Sequence, residues 1–149
     1  MKYQNEMKLR FPSRSANEAF ARTAVSAFLA QLDPTVEEIS DIRTAVSEAV
    51  TNSIVHGYPD CVGMITVEAA IGENGWVVIR VKDKGKGIPD IAKAMEPMYT
   101  TCTTGERAGL GFAVMESFTD RLKVRSTVGK GTTVIMEKRI ALRDAQKEK

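Results

Sequence analysis

The sequence predicts an α+β fold, a two-layer sandwich in which a mixed, mainly antiparallel sheet is covered by helices on one face. Three observations predict it. Two runs of alternating apolar residues, Met64–Ile71 and Trp76–Asp83, flank Asn74-Gly75, a pair that favours the type I′ turn of a hairpin. A second pair of alternating runs flanks Val128-Gly129-Lys130-Gly131. Ahead of the first hairpin, two segments carry apolar residues at helical period.

Taken in order, a strand is expected at Met7–Phe11. Ser15-Ala16-Asn17-Glu18 has the spacing of a capping box and should open a helix. Its expected core face is Phe20, Ala24, Ala27, Phe28, Gln31 and Leu32. The next helix has two possible starts. Either Asp33 caps it with Pro34 in the first turn, or Thr35 caps it with Glu38 three residues on. Its stripe is Ile39, Ile42, Val46, Ala49, Val50 and Ile54, with Gly57 as the stop and Pro59 beyond.

In the first hairpin, Ile65, Val67, Ala69 and Ile71 share one face of the first strand, and Val77, Ile79 and Val81 share one face of the second. The stretch from Asp83 to Pro89 breaks that strand. A loop with a short helix follows. Thr100–Arg107 is polar and poor in core residues, so a mobile loop is expected there. Ala108–Phe118 reads as a helix with a glycine-rich start, and strands are expected at Arg121–Thr127 and Thr132–Lys138. Residues 141–149 form a charged tail expected to fray.

A length of 149 residues, without repeat or linker, indicates one domain spanning 1–149. A net charge of +2 is too small to argue for nucleic acid. No apolar run approaches the roughly 18 residues that span a bilayer. The opening MKYQNEMKLRF lacks the apolar centre of a signal peptide, so no membrane association and a cytoplasmic location are expected. Two cysteines, Cys61 and Cys102, and one histidine, His56, make a poor zinc set. Any metal is expected to be a hard cation on oxygen ligands, and the thiols are expected to be free.

Three segments can carry chemistry together. In Glu48-Ala49-Val50-Thr51-Asn52, the first and last residues lie only about 40° apart on a helical wheel, roughly 160° from the middle of the apolar stripe. Such a pair can be a solvated face. It can also be a working one, because the amide oxygen suits magnesium and the carboxylate can take a proton from an attacking hydroxyl. Asp83-x-Gly85-x-Gly87-Ile88 is either a sharp turn or a purine site. An ionised carboxylate accepts from the exocyclic amine of adenine, whereas guanine presents an oxygen there, a mismatch of about 1–3 kcal/mol. The glycines at 85 and 87 let main chain approach a flat base. Gly105-Glu106-Arg107-Ala108-Gly109-Leu110-Gly111-Phe112 either packs on the sheet or aims N–H groups and a helix dipole at an anion. Arg107 could neutralise charge developing in phosphoryl transfer. Gly129-Lys130-Gly131-Thr132 lacks the remaining parts of a P-loop and reads as a turn.

Glu48-x-x-x-Asn52, Asp83-x-Gly85-x-Gly87-Ile88, Gly109-Leu110-Gly111 and Gly131-Thr132-Thr133 occur in that order. Together they resemble the asparagine box, the two glycine boxes and the final threonine box of the GHKL ATPases, the superfamily of gyrase, heat-shock chaperones, histidine kinases and MutL. Asn17–Arg22, Ala30–Thr35, Ser47–Tyr58 and Met115–Phe118 further resemble the anti-sigma-F factors of sporulating bacteria. That resemblance implies a serine protein kinase using ATP/ADP and Mg²⁺. Such a protein binds the sporulation sigma factor (sigma-F type), phosphorylates a serine of an anti-anti-sigma partner, and forms a homodimer.

By resemblance Glu48 is the catalytic base and Asn52 the magnesium ligand. Asp83 reads adenine with Thr133 assisting. Gly85, Gly87, Ile88, Thr101, Gly109, Leu110 and Gly111 complete the ATP site. Arg107 serves transfer and partner contact, and Arg22 grips the sigma factor. The lid departs from the family's Thr-Thr-Lys-Pro: here it reads Thr100-Thr101-Cys102-Thr103, without the lysine charge. The same boxes would also serve a switch kinase of a stress-response circuit, or a non-catalytic, ATP-dependent sigma-binding module.

Overall fold

The computed structural model describes residues 2–95 and 111–141. The order of elements is the expected one. β1 (Asn5–Pro12) leads into α1 (Ala16–Leu29) and α2 (Val36–Asn52), followed by β2 (Met64–Ile71) and β3 (Trp76–Asp83). A short α3 (Ile91–Ala94), α4 (Gly111–Ser117), β4 (Arg121–Thr127) and β5 (Gly131–Arg139) complete the described chain. Among the described residues the five strands lie in the order β1-β2-β3-β5-β4 and every pairing is antiparallel, where a mixed, mainly antiparallel sheet was expected.

The alternation read from the sequence decides which face is inside. Phe11 pairs with Ile65, Leu9 with Val67, and Val67 in turn with Val81. Ile65, Val67, Ala69, Val77, Ile79 and Val81 are buried with Val134 and Met136 of β5. The same core takes Ala21, Val25 and Leu29 from α1, Ile42, Ala45, Val46, Ala49 and Val50 from α2, and Met115 from α4. The helices therefore lie on one face of the sheet. Asn74 and Gly75 both have positive φ, 58° and 80°, as the hairpin signal requires.

Two expectations about helix starts separate here. Thr35 forms the full capping box: its Oγ1 accepts from Glu38 N–H at 3.0 Å, and Glu38 Oε1 accepts from Thr35 N–H at 2.8 Å. Ser15 forms none. It is itself in the α region and its side chain makes no cap hydrogen bond. The chain is instead tied by Asn17 Nδ2 donating to the Pro12 carbonyl at 3.0 Å. The core face of α1 is also turned by one residue from the expected stripe. Ala21, Val25 and Leu29 face inward, while Phe20 is 55% exposed. The expected lid Thr100–Arg107 and the end of the charged tail lie outside the described residues.

Candidate functional site

The site begins where α2 changes its winding. After Asn52, residues Ser53–Gly57 form a wide turn of π type, closed by Tyr58 N–H donating to the Ser53 carbonyl at 3.0 Å. Such turns are frequent at functional sites. Here Ser53 is turned inward and buried, and its hydroxyl donates to Asp83 Oδ2 at 2.8 Å. Asp83 ends β3 and is 9% exposed. Its other oxygen, Oδ1, accepts the N–H of Gly85 at 2.9 Å. Each carboxylate oxygen thus has one donor and retains acceptor capacity for another.

Main chain is packed tightly around this carboxylate. A Cβ on Gly57 would stand 3.1 Å from the Asp83 carboxyl group. A Cβ on Gly85 would overlap the Gly57 carbonyl oxygen, and one on Gly131 would overlap the Asp83 carbonyl oxygen. Lys86 N–H donates to that Gly57 carbonyl at 3.0 Å, locking the loop after β3 to the end of α2. The Tyr58 hydroxyl secures the next residue. It accepts Lys84 N–H and donates to the Met64 carbonyl, each at 2.7 Å. Burial pushes this phenol's pKa up; the Lys84 N–H acts the other way, and the Asp83 charge adds to the rise.

A cavity of about 250 Å³ opens beside these groups. Asn52, Ser53, His56 and Gly57 line it from the end of α2, and Asp83, Lys86, Gly87, Ile88 and Pro89 from the end of β3 and the segment after it. Gly111 and Phe112 of α4 close one side, Thr132 and Val134 of β5 another, and Val128 stands in the β4–β5 turn. A few polar groups converge on a mostly apolar wall, as in small-molecule sites generally. The apolar surfaces suit a ring system, and the buried carboxylate suits a donor on that ring.

The structure brings Asn52, Asp83, Gly87, Ile88 and Gly111 into one cavity wall. Asn52 approaches α4 closely: a Cβ on Gly111 would lie 3.0 Å from the Asn52 side-chain amide, so the glycine makes room for it. Gly85 is not in the wall but holds Asp83 through its N–H. Glu48 is partly buried and lies one helical turn, ~6 Å along the axis, before Asn52. It is not among the cavity-lining residues.

Of the two threonines in β5, Thr132 lines the cavity and Thr133 does not. The register explains this: Thr132 is opposite Asp83, and Thr133 is opposite Lys82 on the other face of the sheet. Arg22 is on α1, away from the wall, beside Glu18 at 3.4 Å. Thr101, Arg107, Gly109 and Leu110 lie outside the described residues.

Among the lining residues that sequence reasoning missed are Ser53, Ala49, Pro89, Ala94, Val128 and Val134. Ser53 carried a signal in principle, being the residue after the Glu48–Asn52 pair. The others read as core or turn residues, and only the tertiary fold assigns them to a cavity.

Among the described residues, no group of three or more His, Cys, Asp or Glu side chains could hold a metal. A hard cation here would depend on the Asn52 amide oxygen, with phosphate oxygens and water supplying the remaining positions. Magnesium is commonly held in that way, by few protein ligands and the substrate's own phosphates. Among the described residues the donor set thus offers an amide oxygen rather than a preformed protein cage.

Residues 11–138 match the family described as "Histidine kinase-like ATPase domain". The chain is 60% identical to the anti-sigma F factor of Thermoanaerobacter sp. (strain X514) over 140 residues, covering 94% of this chain and 97% of that protein. It is 52% identical to the anti-sigma F factor of Geobacillus kaustophilus (strain HTA426) over 139 residues, covering 93% of this chain and 94% of that one. Among solved structures, the RsbU and RsbW domains of Rv1364c from Mycobacterium tuberculosis superpose with a TM-score of 0.68 at 23% identity. That superposition covers 93% of this chain and 33% of the longer chain, and at 23% identity it speaks to the fold alone.

Proposed function

The chain belongs to the histidine kinase-like ATPase family and, within it, to the anti-sigma F factors, and on that ground we propose that it is an ATP-dependent protein serine kinase that also sequesters a sigma factor. The observation that carries the nucleotide reading is one wall that holds the Asn52 amide, the buried Asp83 carboxylate and the Gly111 main chain together. Asp83 accepts from the exocyclic amine of adenine, its position fixed by Ser53 and Gly85. Thr132, which lines the cavity, assists Asp83 at the base in this reading. Asn52 supplies the amide oxygen for a magnesium ion, and Thr101, Gly109, Leu110 and Gly111 serve as further ATP-binding residues. ATP bound there supplies the transferable terminal phosphoryl group.

Glu48, one turn before Asn52, takes the proton of the attacking serine hydroxyl, and Arg107 offsets charge on the phosphoryl group in transfer. The serine belongs to an anti-anti-sigma protein. The protein works as a homodimer in the cytoplasm, and Arg22 of α1 contacts a sigma factor of the sigma-F type.

The test is incubation with ATP labelled on its terminal phosphoryl group, magnesium and a candidate anti-anti-sigma protein. Label is expected on a partner serine, and lost on omitting magnesium. Glu48→Ala should lower the transfer rate by roughly 10²–10⁴-fold while ATP still binds. Bound nucleotide without transfer to any such partner would reduce the protein to a passive sigma-binding module. Failure to bind ATP at all would remove the reading.

A further inference from the structure

The turn between β4 and β5 was legible in the sequence only as a hairpin connection, yet it stands against the cavity. Ser126, the next-to-last residue of β4, explains how. Its Oγ accepts the N–H of Ile88 at 2.7 Å. It lies 3.0 Å from the Gly131 carbonyl and 2.8 Å from Thr132 Oγ1, so its single proton has an acceptor in β5. One hydroxyl therefore joins the loop after β3 to both strands of the hairpin.

The backbone repeats the link. Gly129 N–H donates to the Lys86 carbonyl at 2.8 Å. Gly87 has φ of 78°, and a Cβ there would overlap the Thr127 carbonyl oxygen. With its strand-like pairing ended at Asp83, Ile88 N–H finds its acceptor on this side chain. The position of the Ile88 wall is thus set by β4. At the tip, Val128 is 63% exposed, yet it also lines the cavity. An apolar side chain left open at the mouth of an apolar cavity is covered once a flat ligand enters.

We propose that Ser126 is a positioning residue of the nucleotide site and that Val128, on the turn it anchors, packs on the bound adenine or its ribose. The proposal rests on the nucleotide-binding reading above. It makes the β4–β5 turn a third wall, on the base side rather than the phosphate side.

The test is calorimetric titration of ATP and of ADP, with magnesium, into the full chain and its variants. Ser126→Ala should weaken both nucleotides by about tenfold, the cost of leaving one main-chain N–H poorly paired. The ATP-to-ADP affinity ratio should stay unchanged, because the phosphates are not involved. Ser126→Thr keeps the hydroxyl and should restore affinity to within about twofold. Val128→Ser, at an exposed position with no part in the core, should weaken both nucleotides about threefold, with an unchanged unfolding midpoint in the absence of nucleotide.

Wild-type affinity in Ser126→Ala, or equal loss in the alanine and threonine variants, would overturn the positioning role. Wild-type affinity in Val128→Ser would overturn the contact, and that variant decides the matter even if Ser126→Ala does not fold. Asp83→Asn separates the two levels. If it weakens binding by the roughly 10–150-fold expected for a lost hydrogen bond to a charged group while Ser126→Ala and Val128→Ser do not weaken it, the nucleotide reading stands and this inference falls. If the unaltered chain binds neither nucleotide, both fall.

Discussion

Asp83 has one oxygen occupied by Ser53 and the other by Gly85, and this makes its side chain rigid before any ligand arrives. In the proposed adenine site that rigidity serves discrimination, because a carboxylate free to turn could satisfy more than one base. Replacing Asp83 with Asn keeps the shape but turns one acceptor into a donor. ATP affinity is expected to fall roughly 10–150-fold, the value of a hydrogen bond to a charged group, as calorimetry would measure. Asp83 and Asn52 were legible in the sequence because a short motif fixes the type of residue at each position. The sequence reading named Thr133, whereas Thr132 lines the cavity, because adjacent strand residues point to opposite faces and only the pairing with β3 selects which one looks inward.

Helix starts show the same division at the scale of an element. Thr35 and Glu38 satisfy each other's N–H groups within one turn, so four residues of sequence contain the whole interaction. Ser15 to Glu18 has equivalent spacing, but β1 delivers the chain into α1 with Ser15 already helical, which leaves its hydroxyl no cap to make. Two alanine substitutions should therefore differ. Thr35→Ala should cost about 1 kcal/mol and Ser15→Ala less than about 0.5 kcal/mol, read from urea unfolding. The face of α1 was misjudged for a related reason. Its sequence offers two neighbouring apolar stripes, and the entry angle from β1 chooses Ala21, Val25 and Leu29 over Phe20.

Across the whole molecule, carboxylates outside the cavity connect distant parts of the fold. Glu38 is partly buried, which opposes its charge. The N–H groups of Thr35 and Ala141 prevail, and its pKa lies below the ordinary 4.5. Glu68 is likewise held below 4.5, first by the hydrogen bond from Lys82 at 2.8 Å, with burial opposing. Depressed carboxylate values add stability that is complete above the unfolded value near 4.5 and is lost as pH falls through the lower folded values. The double variant Glu38→Gln, Glu68→Gln should therefore lose less stability than the parent between neutral and strongly acidic pH, as urea midpoints at several pH values would record.

Ligand binding should also register globally. At a hundred times its dissociation constant, magnesium-ATP is expected to add about 2.7 kcal/mol. For a chain of this size that is a rise of roughly 5–10 °C in unfolding temperature, visible by scanning calorimetry. The sheet, its strand order and the inward faces of β2 and β3 were largely readable, since alternation is a local pattern. The cavity was readable only at its motif residues, since the rest of its wall comes from segments that meet through the fold.

The widened turn at Ser53–Gly57 sets a rule about spacing. It adjusts the angular phase between the helix that carries Asn52 and Tyr58, whose hydroxyl bonds the Met64 carbonyl at the start of β2. Losing one residue there would rotate the two ends against each other by about 100°. Chain-length changes between positions 52 and 58 should thus abolish nucleotide capture, whereas the polar tip of the Glu73–Gly75 hairpin, remote from the cavity, should absorb an inserted residue without such loss.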